Sequence, residues 1–272
     1  MTTTAASAAS EQPDATVDTV DVARFTALAA QWWDPYGPFK PLHRLNPIRV
    51  AYLRDWICAV HGREPTAARP LAGLTALDIG CGGGLLCEPL TRLGATVAGI
   101  DASPQSVTVA RLHAESMGLR IDYRCTPVAA LADAGQQFDI VLAMEVVEHV
   151  VDVGAFLRAA AAVLRPGGIL ALATLNRTPQ AFVLAIVGAE YLLRWLPRGT
   201  HHWRRFLRPA ELAAHLRPAG LAFADLTGVV YAPFQRVWRL DAKDLAVNYM
   251  GIVTTDRKIP SVKKDSVQKE EV

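Results

Sequence analysis

Two acids and a run of glycines carry the first chemical signal. Leu77-Asp78-Ile79-Gly80-Cys81-Gly82-Gly83-Gly84 follows a short apolar run and opens a helical pattern, the place where an α/β sheet meets a nucleotide. Glycines such as Gly80 and Gly82 let a ligand approach the backbone, and Asp78 stands two residues ahead of them. A second acid, Asp101, closes the next predicted strand roughly twenty residues on, where a carboxylate accepts both hydroxyls of a ribose. The dinucleotide fingerprint G-x-G-x-x-G is not met, because its third glycine falls on Leu85, so a nicotinamide cofactor is disfavoured.

A second constellation is Met144-Glu145-Val146-Val147-Glu148-His149-Val150 after the fourth predicted strand. A helix here places Glu145, Glu148 and His149 at i, i+3 and i+4 on one face. Two carboxylates and an imidazole suit a divalent metal such as Mg, Mn, Fe or Zn. Two other readings stay open: His149 as a metal-free base, or all three as buttresses of the site. The chemistry at stake is an oxygen nucleophile, since a phenol with a pKa near ~10 attacks poorly at neutral pH. A metal ion holding the phenolate or direct proton acceptance by His149 meets that need, which makes Glu148 and His149 the candidate catalytic residues. Arg49, in LNPIRV, is either a bidentate clamp for a ligand carboxylate or a solvated surface residue.

The elements that must position these residues read as one α/β unit. Strands are predicted at 74–79, 95–100, 120–125, 138–143 and 168–174, with helices at 84–93, 104–117 and 152–164 in three of the four gaps between them. Arg165-Pro166-Gly167-Gly168 punctuates the last helix, with glycine turning the chain in a left-handed conformation. Segments 222–230 and 246–254 read as a terminal antiparallel hairpin. Ahead of the sheet, residues 21–60 show helical periodicity broken by DPYGPFKPLHRLNP, a loop with four prolines. Residues 1–20 and 256–272 are polar and read as disordered tails around a single domain at 21–255.

Composition narrows the function. A hydrophobic content of 51% across 272 residues supplies a sizeable core, and a net charge of +2 argues against a strongly basic nucleic-acid binder. The four cysteines lack zinc spacing and suggest a reducing cytosol. The first twenty residues hold Glu11, Asp14 and Asp18 but no Lys or Arg, unlike a signal or transit peptide. Between the fifth and sixth strands, 178–217 is long enough to be a lid. Its apolar stretch Ala181 to Leu196 adjoins Arg194, Arg198, Arg204, Arg205 and Arg208, interleaved with Trp195, Trp203 and Phe206, a mixture that favours an anionic membrane interface over a bilayer span. A core helix followed by a solvated basic loop is the plainer alternative.

The acid before Gly80-Cys81-Gly82 resembles motif I of class I methyltransferases that use S-adenosylmethionine. The resemblance sharpens with QWWDPYGPFKPLHRLNPIR at 31–49, LDIGCGGG, MEVVEH, TLNR at 174–177, VGAEYLLRWLPRGTH at 187–201 and VNYM at 247–250, which together are similar to the ubiquinone biosynthesis O-methyltransferase family over about residues 20–255. It implies a Rossmann-like, mainly parallel seven-stranded sheet with a terminal antiparallel strand, N-terminal helices and a helical insertion after the fifth strand. It implies that Asp78 faces the cofactor's amino end, Asp101 its ribose and Met144 its adenine. It further implies methylation of polyprenylated catechol-type phenols and quinols, metal dependence, peripheral association with the inner face of a bacterial membrane, and contact with other ubiquinone-biosynthesis proteins. A methyltransferase for another amphipathic phenol or lipid, and a cofactor-binding scaffold subunit, are the competing readings.

Overall fold

Strands rich in apolar residues on both faces need helices on both sides of their sheet. The computed structural model describes residues 16–184, 202–232, 235, 237–255 and 262. Five strands run parallel: β1 (Thr75–Ile79), β2 (Thr96–Asp101), β3 (Asp122–Cys125), β4 (Phe138–Met144) and β5 (Leu164–Leu175). Then β6 (Ala222–Ala232), β7 (Val237–Asp241) and β8 (Asn248–Thr254) join in antiparallel sense, in the order β3-β2-β1-β4-β5-β8-β6-β7.

Among the described residues the sheet therefore has eight strands rather than seven. The additional strand, β7, is a short edge of half-buried and exposed residues that gives little periodic signal. β6 and β8 pair antiparallel as expected, but β7 occupies the far edge of β6, so the two do not form a simple hairpin. The RPGG turn lies inside β5 as an irregularity, where pairing steps from Phe138 opposite Leu164 to Ile140 opposite Ile169, and Gly167 takes a φ of +78°.

Alternation along β4 divides the core. Ile140 and Leu142 join the cluster under the N-terminal helices, whereas Val141 and Ala143 join the cluster on the opposite face. α3 (Cys87–Arg92), α4 (Pro104–Ser116) and α6 (Val153–Ala162) match predicted helices, and between β3 and β4 the short helix α5 (Val128–Asp133) was not foreseen. α4 is capped by Ser103 and α6 by Asp152, each accepting from a backbone amide of the first turn.

Two helices precede the sheet: α1 (Thr19–Leu28), whose N-cap is Asp18, and α2 (Lys40–Val60). Residues 16–20, expected to belong to a tail, are therefore part of the fold, while 1–15 and all of 256–272 except Val262 lie outside the described residues. The proline-rich loop is also shorter than expected. Pro41 sits in the first turn of α2, where its missing N–H has no partner to lose, and Pro47 is carried inside the helix. Burial of Leu45, Leu53, Trp56 and Ile57 on this helix offsets the hydrogen bond that Pro47 removes.

β2 and β4 flank β1 on opposite sides, so the chain reverses its direction of winding there and a crevice opens at the carboxyl ends of these strands. Because α2 roofs one side of this crevice, its anchoring matters for stability. Leu53 is 0% exposed, and Leu53→Ala should cost about 2–5 kcal/mol, read as a lower urea midpoint with an unchanged denaturant slope.

Candidate active site

Past Ile79 the chain turns at Gly80, with φ +71°, and the amides of Gly80 and Cys81 both donate to the Ile100 carbonyl at 2.8 and 3.0 Å. Gly82, with φ +52°, lies against Trp32, where a Cβ would stand 2.4 Å from the indole. Trp32 stacks on Phe39, and Trp33 Nε1 donates to the Gly83 carbonyl at 2.9 Å. The aromatic pair that looks like ordinary helix periodicity in the sequence therefore braces the glycine loop. Asp101 closes the other side, accepting from Gly82 N on Oδ2 at 2.9 Å and from Ser103 N on Oδ1 at 2.8 Å. Each oxygen retains a lone pair for a hydroxyl, and burial raises this carboxyl above its ordinary range.

Arg49, far from the loop in sequence, enters the crevice from α2 at 3% exposure. Burial brings its guanidinium down to about 10, opposed by the charges of Asp78 and Glu148, so it stays protonated at neutral pH. It forms an ion pair with Glu145, and its Nε has no partner among the described residues. Asp78 is equally buried. Burial pushes its carboxyl up to about 7, against the opposing pull of the Cys87 thiol, which donates to it at 3.3 Å, and of Arg49.

The expected helix after β4 is absent. Glu145 has a φ of +53° and residues 147–149 form a turn, so the i, i+3, i+4 face does not exist and the three side chains diverge. Glu145 goes to Arg49. Glu148 is buried and accepts from Thr174 Oγ1 on Oε2 at 2.8 Å, leaving Oε1 without a partner among the described residues. His149 reaches Asp21 of α1, with Nδ1 3.0 Å from Oδ2. Among the described residues no group of three His, Cys, Asp or Glu is arranged to hold a metal ion, so these side chains as placed do not fit the expected metal site. Burial would lower the His149 pKa, but its hydrogen bond to Asp21 and the negative charge of Glu148 and Asp21 carry it above the ordinary histidine value.

One cavity of about 290 Å³ gathers the cofactor, catalytic and metal candidates named from the sequence: Arg49, Asp78, Gly80, Gly82, Asp101, Met144, Glu145, Glu148 and His149. Met144, 7% exposed, ends β4 in its wall. Two functional candidates were missed, Asp21 and Arg205. Asp21 looks like an ordinary acid in a first helical turn, and Arg205 like one of several arginines in a basic insertion.

Residues 77–172 match the family described as a methyltransferase domain. A ubiquinone biosynthesis O-methyltransferase of Methylobacterium sp. (strain 4-46) is 54% identical over 241 residues, 89% of this chain and 96% of that protein. The chain belongs to the ubiquinone biosynthesis O-methyltransferase family. A second member, from Chelativorans sp. (strain BNC1), is 56% identical over 235 residues, 86% of this chain and 92% of its own length. The fold is shared more widely: magnesium protoporphyrin IX methyltransferase from Synechocystis PCC 6803 superposes with a TM-score of 0.58 at 19% identity, covering 89% of this chain and 94% of that one. As a member of this family, the protein is an S-adenosylmethionine-dependent O-methyltransferase.

Loss of the Asp101 carboxylate should weaken cofactor binding directly. Asp101→Ala is expected to lose roughly 1.5–3 kcal/mol of affinity for S-adenosylhomocysteine per hydrogen bond removed, measured by calorimetry. Unchanged affinity in a folded variant would take Asp101 out of the site.

Proposed function

We propose that this family member methylates the hydroxyl of polyprenylated catechol-type intermediates, 2-polyprenyl-6-hydroxyphenol and 3-demethylubiquinol, and meets them at an anionic membrane surface. The observation that carries this reading is the single cavity shared by Asp78, Asp101 and His149. It suits S-adenosylmethionine: the loop at Gly80 and Gly82 presents bare backbone, Arg49 has an uncommitted Nε for a carboxylate, and Asp78 offers an acid for an ammonium. Asp101 then holds the ribose diol, and Met144 packs on the adenine. Bound there, S-adenosylmethionine supplies an electrophilic methyl group on a sulfonium.

The chain's own task is to deliver a phenolate and keep water away. His149 accepts the phenolic proton at Nε2, because its Nδ1 is already engaged with Asp21. The Glu148 carboxylate stabilises the resulting imidazolium through space. Val22, Phe25 and Phe156 give the cavity an apolar wall against which an aromatic ring can lie. An ion-assisted route, with a divalent metal such as magnesium, keeps one observation in its favour, the buried and unpartnered Oε1 of Glu148.

Turnover of a short-tail demethylated quinol with labelled S-adenosylmethionine separates these routes. Activity should persist after rigorous chelation and fall by about 10²–10⁴ in His149→Ala. Loss on chelation that magnesium restores would transfer the proton-removal step away from His149.

Membrane contact is the second part of the proposal. No helix among the described residues is long and apolar enough to cross a membrane, and the segment at 185–201 lies outside the described residues. One arginine of this basic segment is also engaged within the protein, since Arg205, though exposed, pairs with Asp18 and Asp21. The remaining basic residues of the insertion should still bring the enzyme to anionic lipid, at about 1 kcal/mol each near the surface. Co-sedimentation with phosphatidylglycerol vesicles should decline with salt and decline again in the double variant Arg194→Glu with Arg198→Glu; equal binding by variant and wild type would remove this segment from the interface.

A further inference from the structure

We propose that His113 and Glu88 are positioning residues for the glycine loop: acting through Trp33, they hold its backbone in the cofactor-binding shape before S-adenosylmethionine arrives. The proposal deepens the reading of this loop as the cofactor's seat and rests on it.

Three glycines of the loop, Gly80, Gly82 and Gly84, take φ of +71°, +52° and +88°. Glycine has the widest backbone freedom, so a loop of this composition keeps one shape only where groups outside it fix the chain. The amides of Gly80, Cys81 and Gly82 are tied to Ile100 and Asp101. The carbonyl of Gly83 is tied to Trp33, whose Nε1 donates to it at 2.9 Å from 50 positions away. That indole is itself held in place. Its face lies on the His113 ring, with centroids 3.5 Å apart and planes 5° from parallel, and His43 meets it at 66° with centroids 6.0 Å apart.

His113, in the last turn of α4, takes its orientation from α3. Its Nδ1 hydrogen-bonds Glu88 Oε1 at 2.5 Å, while Arg92 Nη2 donates to Glu88 Oε2 at 3.1 Å. Glu88 is 0% exposed, and an acid is placed at that depth at a cost which its two partners offset. Its place in the chain then returns the contacts to their start. Glu88 belongs to the first turn of α3, the helix that the loop opens, and its amide donates to the Gly84 carbonyl at 3.1 Å. Gly83 and Gly84 are thus gripped by the two ends of one circuit, through the Trp33 side chain and through the Glu88 backbone. The entropy of ordering the loop is met during folding, and S-adenosylmethionine gains affinity without a further contact.

A plain tie between α3 and α4 is the competing explanation, and it makes different predictions. In the full-length chain, Trp33→Phe keeps a ring against His113 and removes the donor to Gly83. It should weaken S-adenosylhomocysteine binding by about 3–10-fold in calorimetry, the worth of one hydrogen bond, while kcat on the short-tail quinol at saturating S-adenosylmethionine stays within about twofold. His113→Ala should lose a similar amount, and the double variant Trp33→Phe with His113→Ala should lose no more than the larger single loss, because both act through one link. Glu88→Gln, which keeps the acceptor for His113, should retain most of the affinity that Glu88→Ala loses. By hydrogen exchange, residues 80–86 should exchange faster in ligand-free Trp33→Phe and His113→Ala, and return to the unmodified rate with saturating S-adenosylhomocysteine. Unchanged affinity in Trp33→Phe, or losses that add in the double variant, overturns the positioning role. So does a fall in melting temperature with faster exchange throughout the sheet, the mark of a structural tie. If S-adenosylhomocysteine fails to slow exchange of residues 80–86 in the unmodified protein, the reading of the loop as the cofactor's seat fails instead, which keeps the two failures apart.

Discussion

At the centre of the molecule a guanidinium has been taken out of water. Arg49 is buried, and a buried charge costs several kcal/mol unless neighbouring groups compensate it. Compensation comes from Asp78 at the end of β1 and from Glu145 and Glu148 in the turn after β4, so α2, the cofactor loop and the fourth strand are joined by one electrostatic requirement. Glu145 adopts left-handed backbone to reach its partner, a conformation that costs about 1–3 kcal/mol in a residue with a side chain. Three acids around one base leave surplus negative charge. Burial raises the Asp78 carboxyl to about 7, so it stands close to taking a proton, and a bound cationic group would relieve the same surplus.

Around this centre the parts outside the α/β unit govern access and alignment. Trp32 and Trp33 press on the glycine loop from the segment between α1 and α2, so the loop's shape is set partly by residues that a bare cofactor fold would not possess. α1 contributes the acid facing His149, and the insertion contributes an arginine that pairs with that acid. A common fold is thereby given its own cavity lining without change to the strands that carry the glycine loop and its acids.

The placement of the glycine loop and its two acids was legible because its grammar is local: strand, acid, glycine turn, strand, acid all fall within residues 75–101 and need only one parallel pairing, β1 with β2. The other half depends on contacts between residues far apart, with 128 positions separating Asp21 from His149 and 184 separating Asp21 from Arg205. Spacing also misled where it assumed a period. Glu145, Glu148 and His149 share a face only on a helix, and the ion pair with Arg49 together with the turn at 147–149 places them otherwise. Likewise Pro47 argued for a loop, yet tertiary burial of the surrounding apolar face kept the helix intact.

The join between the parallel and antiparallel parts of the sheet has a consequence for synthesis. β5 is buried from Gly168 through Leu175 and gains its outer partner only from β8, the last strand among the described residues. A nascent polypeptide that has emerged only as far as the insertion exposes that strand as an open, apolar edge, the kind of surface that recruits other chains. β6 cannot shield it, since β6 docks on β8 rather than on β5. Ribosomal stalling or premature termination before residue 248 would therefore yield a sticky fragment rather than a smaller soluble domain, and chaperone demand during translation should peak in that interval.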